Sequence, residues 1–138
     1  MATKVADVMT PDPATVEAGQ PISAAARLMA SNDAGAVIVT NNGQVSGIVT
    51  DRDIAVRVVA QNRGPDTPVQ EATSGDVTTV GPDTSIDQAV QLMRGQAVRR
   101  LPVVENGRAV GIVSLGDLAM ERDPSSALAD ISAAEGNT

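Results

Sequence analysis

The chain has 138 residues, enough for one ordinary domain or for two very small units sharing a core, and its 42% apolar content contains no Phe, Tyr or Trp. Without Cys or His as well, disulfides, zinc sites, thiol nucleophiles, imidazole bases and ring stacking on nucleobases are excluded together, so any flat ligand must lie between aliphatic side chains. A net charge of −7 repels a phosphate backbone, no apolar run nears the roughly 20 residues of a membrane span, and Met1-Ala2-Thr3-Lys4 opens no signal-peptide core; no nucleic-acid or membrane partner is expected, and the expected location is the cytoplasm.

The chain repeats itself without a gap at an offset of 64 residues, with Thr15-Val16 over Thr79-Val80, Leu28-Met29 over Leu92-Met93, Asn42-Gly43 over Asn106-Gly107, and Asp53 over Asp117. Each copy starts on a short extended strand. Ile22, Ala25, Ala26 and Met29 then recur at helical spacing, as do Ile86, Ala89, Val90 and Met93, which predicts an amphipathic helix of about three turns in each copy. Pro21 suits the start of the first of these, and Thr84 or Ser85 the cap of the second. Val37 to Thr40 and Val45 to Val49 flank Asn42-Gly43, a strong hairpin signal, and Leu101 to Val104 and Ala109 to Val113 repeat it around Asn106-Gly107. A last helix follows in each copy, Asp51 to about Ala60 and Leu115 to about Arg122, and the polar, Gly- and Pro-bearing stretch Gln61 to Pro68 links the copies.

The reading is thus a mixed α/β (α+β) chain of two β-α-β-β-α motifs, at 4–62 and 68–123, with a tail at 124–138 that is either helical or disordered. One unit of about 55 residues is marginal alone. Packing the two about a pseudo-twofold axis buries both apolar faces and predicts two equivalent clefts between the copies.

Asp7-Val8-Met9-Thr10, Arg100-Leu101-Pro102-Val103-Val104, Gly47-Ile48-Val49-Thr50-Asp51-Arg52-Asp53 and Gly111-Ile112-Val113-Ser114-Leu115-Gly116-Asp117 resemble two CBS (cystathionine β-synthase) motifs, and the resemblance runs from residue 4 to about 123. It implies a paired-motif module that dimerises into a disk, and for many members an adenosine nucleotide in the clefts. By the same resemblance, main-chain groups near Asp12–Ala14 and Asp76–Thr78 would meet adenine, between walls from Val16, Val80, Ile48 and Ile112.

The candidate site residues are Thr50, Arg52, Asp53, Arg99, Arg100, Ser114 and Asp117. Thr50-x-x-Asp53 and Ser114-x-x-Asp117 fit two roles. Either the hydroxyl caps a helix with the acid in its first turn, or, as the resemblance implies, the carboxylate accepts hydrogen bonds from ribose hydroxyls while the hydroxyl faces phosphate. Arg99-Arg100, leading into a strand, suit the bidentate binding of phosphate oxygens; their counterparts are Gly35 and Ala36, while Arg52 stands where the second copy has Gly116, so the two sites differ in phosphate grip.

Two functions follow from these residues: a sensor of AMP, ADP or ATP that passes a shape change to a partner, or a ligand-free protein-interaction module. Catalysis is not expected, since no nucleophile and base stand at a diagnostic spacing. No cofactor is required; a Mg²⁺ carried in on ATP would recruit one or two of the acids, and a homodimer is the expected assembly.

Overall fold

A computed structural model describes residues 3–73 and 77–122. Its strands are β1 (Thr10–Pro11), β2 (Thr15–Glu17), β3 (Ala36–Asn41), β4 (Gln44–Thr50), β5 (Arg100–Glu105) and β6 (Arg108–Ser114). Its helices are α1 (Ile22–Asn32), α2 (Asp51–Asp53), α3 (Ile86–Gln96) and α4 (Leu115–Arg122), with single 3₁₀ turns at Val5–Asp7 and Val69–Glu71. The architecture is mixed α and β, as the sequence pattern predicts. Where one α-helix is expected from Asp51 to about Ala60, α2 gives way to a π-helical segment, Ile54–Val59, and Ala60 N–H reaches back five residues to Ala55 C=O.

Both predicted hairpins form. Asn42 (φ 54°) and Gly43 (φ 82°), and likewise Asn106 and Gly107, take the positive φ that a two-residue I′ turn requires at both positions. β3 pairs antiparallel with β4, and β2 adds in parallel to β3. In the second copy β5 pairs antiparallel with β6, and the leading strand is reduced to a single parallel bridge from Val80 to Val103. Ser85, not Thr84, caps α3 by accepting the Gln88 N–H at 3.1 Å, whereas Thr84 accepts the N–H of Gly81. Pro21 precedes α1 in extended conformation and supplies no side-chain cap.

The chain divides into two compact units that do not follow the sequence repeat. Among the described residues, one lies within Ala14–Val77; the other combines residues 3–13 with residues 78–122. The segment that leads each copy therefore belongs with the other copy. Val5 N–H bonds to Thr84 C=O and Ala6 N–H to Pro82 C=O, while β1 pairs antiparallel with β6. Reciprocally, Val69 N–H bonds to Gln20 C=O and Gln70 N–H to Ala18 C=O.

Each unit has its own aliphatic core. In Ala14–Val77 it gathers Ile22 and Ala25 of α1, Val37 and Val39 of β3, Val49 of β4, and Val58, Val69 and Ala72. In the other it gathers Val5, Ile86, Ala89 and Met93 of α3, Leu101, Val103, Val113 and Leu118. Full burial of a Val, Leu or Ile stabilises by about 1.5–3 kcal/mol, so Val5 and Val69 give each exchanged segment a substantial anchor. The predicted helix stripe holds except at Ala26, which is exposed. The tail, with Ser126, Ala127, Leu128 and Ile131, lies outside the described residues.

Candidate functional site

The seven site residues fall into two clusters, one in each unit, at the same place in each copy: the junction between the second hairpin strand and the helix that follows. In the first copy, Ala36 opens β3 opposite Thr50 at the end of β4, and Asp51 N–H donates to Gly35 C=O at 2.9 Å. In the second, Arg100 opens β5 opposite Ser114, and Leu115 N–H donates to Arg99 C=O at 2.7 Å. The structure thus brings Arg99, Arg100, Ser114 and Asp117 together, and separately Thr50, Arg52 and Asp53.

At both junctions the hydroxyl and the acid cap each other's backbone. Asp53 N–H donates to Thr50 Oγ1 at 3.1 Å and Thr50 N–H to Asp53 Oδ2 at 2.9 Å. Asp117 N–H donates to Ser114 Oγ at 3.1 Å and Ser114 N–H to Asp117 Oδ2 at 2.9 Å. These are capping boxes, with two otherwise orphaned donors satisfied reciprocally. Each carboxylate keeps one oxygen outside the box, and the copies treat it differently. Asp53 Oδ1 lies 3.5 Å from Arg57 Nε, whereas no cation among the described residues pairs with Asp117. Arg57 joins this cluster and is absent from the candidates named above, though its i+4 spacing from Asp53 is a recognisable signal.

The arginines differ in exposure. Arg99 is exposed and Arg100 half-buried at the mouth of β5, and Arg52 is exposed, its backbone N–H held by Asp51 Oδ1 at 2.8 Å. Among the wall residues, Val16 and Val80 are closed into the cores, while Ile48 and Ile112 stay half-buried; Asp76 lies outside the described residues.

Two grooves lie elsewhere. One of about 420 Å³ runs between β2 and α1 past Thr15, Glu17, Gln20, Ala24, Arg27 and Leu28. Another, about 530 Å³, occupies repeat-equivalent positions in the second copy, including Thr79, Gly81, Thr84, Gln88, Gln91 and Leu92. Neither includes any of the seven residues. Glu17 has a structural task of its own: its carboxylate accepts the N–H groups of Asn42 (2.9 Å) and Gly43 (3.3 Å) and the Thr40 hydroxyl, and these bonds, the hydroxyl's foremost, hold its pKa below the ordinary value.

Two hairpin-and-helix copies with a hydroxyl–carboxylate pair at each junction are the geometry the motif resemblance implies, and comparison with known proteins decides the family. The CBS domain family matches residues 5–60 and 69–123. This chain is a CBS-domain protein. It is 44% identical over 120 residues to the CBS domain-containing protein YhcV of Bacillus subtilis, covering 87% of this chain and 86% of that one. Among solved structures, a CBS-domain containing protein of Agrobacterium tumefaciens superposes with a TM-score of 0.77 at 35% identity, covering 88% of this chain and 95% of the other. A hexameric CBS-CP12 protein from bloom-forming cyanobacteria superposes with a TM-score of 0.78 at 26% identity, covering 89% and 74%. No helix among the described residues is long and apolar enough to cross a membrane.

Proposed function

We propose that this CBS pair is a regulatory module, not an enzyme, that binds an adenosine nucleotide (AMP, ADP or ATP) at the two strand-to-helix junctions and passes the resulting change of shape to a protein partner. The observation that carries the reading is the repetition of one construction in both copies: a hydroxyl and a carboxylate that each accept the other residue's backbone N–H, with an arginine alongside. A carboxylate held in this way is pre-organised to accept ribose hydroxyls, and Arg99, Arg100 and Arg52 supply planar donors for phosphate. Mg²⁺ enters only as the companion of ATP. The module self-associates, as the hexameric relative does, and acts in the cytoplasm.

A ligand-free interaction module is the second reading, favoured by one fact: the capping boxes already account for Thr50, Asp53, Ser114 and Asp117 without any ligand. Calorimetric titration of adenosine, AMP, ADP and ATP into the wild type, Asp53→Ala, Asp117→Ala and Arg100→Ala separates the two. Adenylate binding requires that each aspartate variant lose one site, because a charged hydrogen bond is worth about 1.5–3 kcal/mol. Arg100→Ala should weaken ATP more than adenosine. If the folded wild type gives no nucleotide heat, the capping role is the whole role and the interaction module stands.

A further inference from the structure

The two junctions share their capping geometry but not the fate of the second carboxylate oxygen. Asp53 Oδ1 faces Arg57 Nε at 3.5 Å, one helical step along the same segment, and the pair is only partly in water: the side chains are 22% exposed for Asp53 and 47% for Arg57. At the repeat offset Arg57 lies over Glu121, so the position that supplies a cation to Asp53 carries an acid in the second copy. No cation among the described residues pairs with Asp117.

A hydroxyl donating to Asp53 Oδ1 must therefore share or displace a guanidinium, whereas one donating to Asp117 meets no such competitor among the described residues. Thr50 N–H already takes Oδ2, which leaves Oδ1 as the oxygen in contention. Granted the adenylate reading, we propose that Arg57 is a positioning residue that turns the Asp53 carboxylate away from ribose, making the first copy the weaker adenosine site and the second the stronger. Arg99 and Arg100 add to the difference for phosphorylated ligands. For the unphosphorylated nucleoside, the ion pair is what separates the copies.

Adenosine itself is the probe, since it removes the phosphate contribution. In an Asp117→Ala background, where only the first junction keeps its acid, Arg57→Ala should tighten adenosine by about two- to fivefold, the range that partly exposed ion pairs span. Arg57→Lys keeps a cation at i+4 and should leave the affinity near that of Asp117→Ala. The gain must vanish for 2′,3′-dideoxyadenosine, which lacks the hydroxyls at issue; a merely structural effect of Arg57 would appear with both nucleosides. In an Asp53→Ala background Arg57→Ala should change nothing, and Glu121→Arg should weaken adenosine by a similar factor. Adenosine bound no more tightly after Arg57→Ala, or an equal gain for the dideoxy compound, overturns the role of Arg57 alone. No binding by any variant or by the wild type overturns the adenylate reading, and the inference with it.

Discussion

Met9 lies across Gly111 so closely that a Cβ on the glycine would stand 2.4 Å from Met9 Sδ, 2.9 Å from its Cγ and 3.0 Å from Thr10 C=O. This is where β1 crosses β6, Thr10 opposite Ile112 and Pro11 opposite Gly111. The repeat-equivalent Gly47 is roomier, with Thr73 and Val39 side-chain atoms no nearer than 3.8 Å. Gly111→Ala should therefore push the N-terminal segment off the sheet and destabilise by about 1–3 kcal/mol, while Gly47→Ala stays within about 1 kcal/mol of wild type. Urea unfolding of both variants checks this; equal losses would show that β1 does not depend on close approach at Gly111.

Ala97 ends α3 with φ 55° and ψ 42°, the left-handed region, where its first-copy counterpart Asp33 has φ 50°. The conformation is imposed by the helix end, because Val98 N–H must reach Met93 C=O at 3.0 Å. Alanine has neither the freedom of glycine nor the local hydrogen bonding that lets Asp tolerate this region. Ala97→Gly is expected to stabilise the protein by about 1 kcal/mol, and Asp33→Gly by less. Thermal unfolding should show a Tm gain of roughly 4 °C for Ala97→Gly. No gain would mean that the lost chain entropy of the glycine offsets the relieved strain.

Most elements were legible in the sequence because each rests on local chemistry. Asn42-Gly43 and Asn106-Gly107 can make I′ turns with little help from elsewhere, and the Ile86, Ala89, Met93 spacing marks the buried face of α3. The capping boxes were legible as one of two roles for the same residues. The exchange of leading segments was not. Val5 and Val69 read as ordinary apolar residues, and a gapless repeat suggests that each copy completes itself; the bonds from Val5 to Thr84 and from Val69 to Gln20 depend on tertiary placement that no periodicity records. The π-helical stretch was missed for a related reason, since Ile54 to Val59 carry no Gly or Pro to announce a change of pitch. Arg57 lies outside the motif residues that carry the resemblance, although its spacing from Asp53 is a standard ion-pair signal.

Acidification should loosen the first hairpin and not the second by this route. Glu17 ties β2 to the Asn42-Gly43 turn, whereas Gly81 at the matching position has no carboxylate. Because its folded pKa lies below the ordinary 4.5, the stabilisation is fully present above that value and is lost as pH falls through the folded pKa. Asp7, which accepts the N–H groups of Lys4 and Thr3, is lowered in the same sense, with the Lys4 bond as the larger cause, and titrates below its ordinary 3.8. The protection factors of the Asn42 and Gly43 amides against hydrogen exchange, followed downward from pH 6, should fall below about pH 4.5, more than those of Asn106 and Gly107. Glu17→Gln should remove the difference between the hairpins. Its survival in that variant would assign the acid response to another group.

Self-association should run through the exposed face of the helical run that ends the first copy. Val56 is 48% and Val59 65% exposed, and Ala55 and Ala60 beside them are exposed as well, so an apolar strip faces water where most Val side chains of this protein are buried. Single exposed valines are ordinary, but two on neighbouring turns flanked by alanines form a small surface that a second copy could cover isologously, each strip meeting its own image. Arg52 and Arg57 border the strip and keep it from being uniformly apolar. Sedimentation at micromolar concentration should give twice the 14.0 kDa of the single chain. Val59→Glu puts a charge at the centre of the face and should shift the population toward the single-chain mass, with unfolding unchanged apart from the lost association. Glu105→Gln, at the exposed end of β5 in the other unit, should leave the mass as it is. A wild type that sediments at 14.0 kDa would end the proposal. An assembly larger than a dimer that still falls apart on Val59→Glu would keep the face and change only the number of copies that use it.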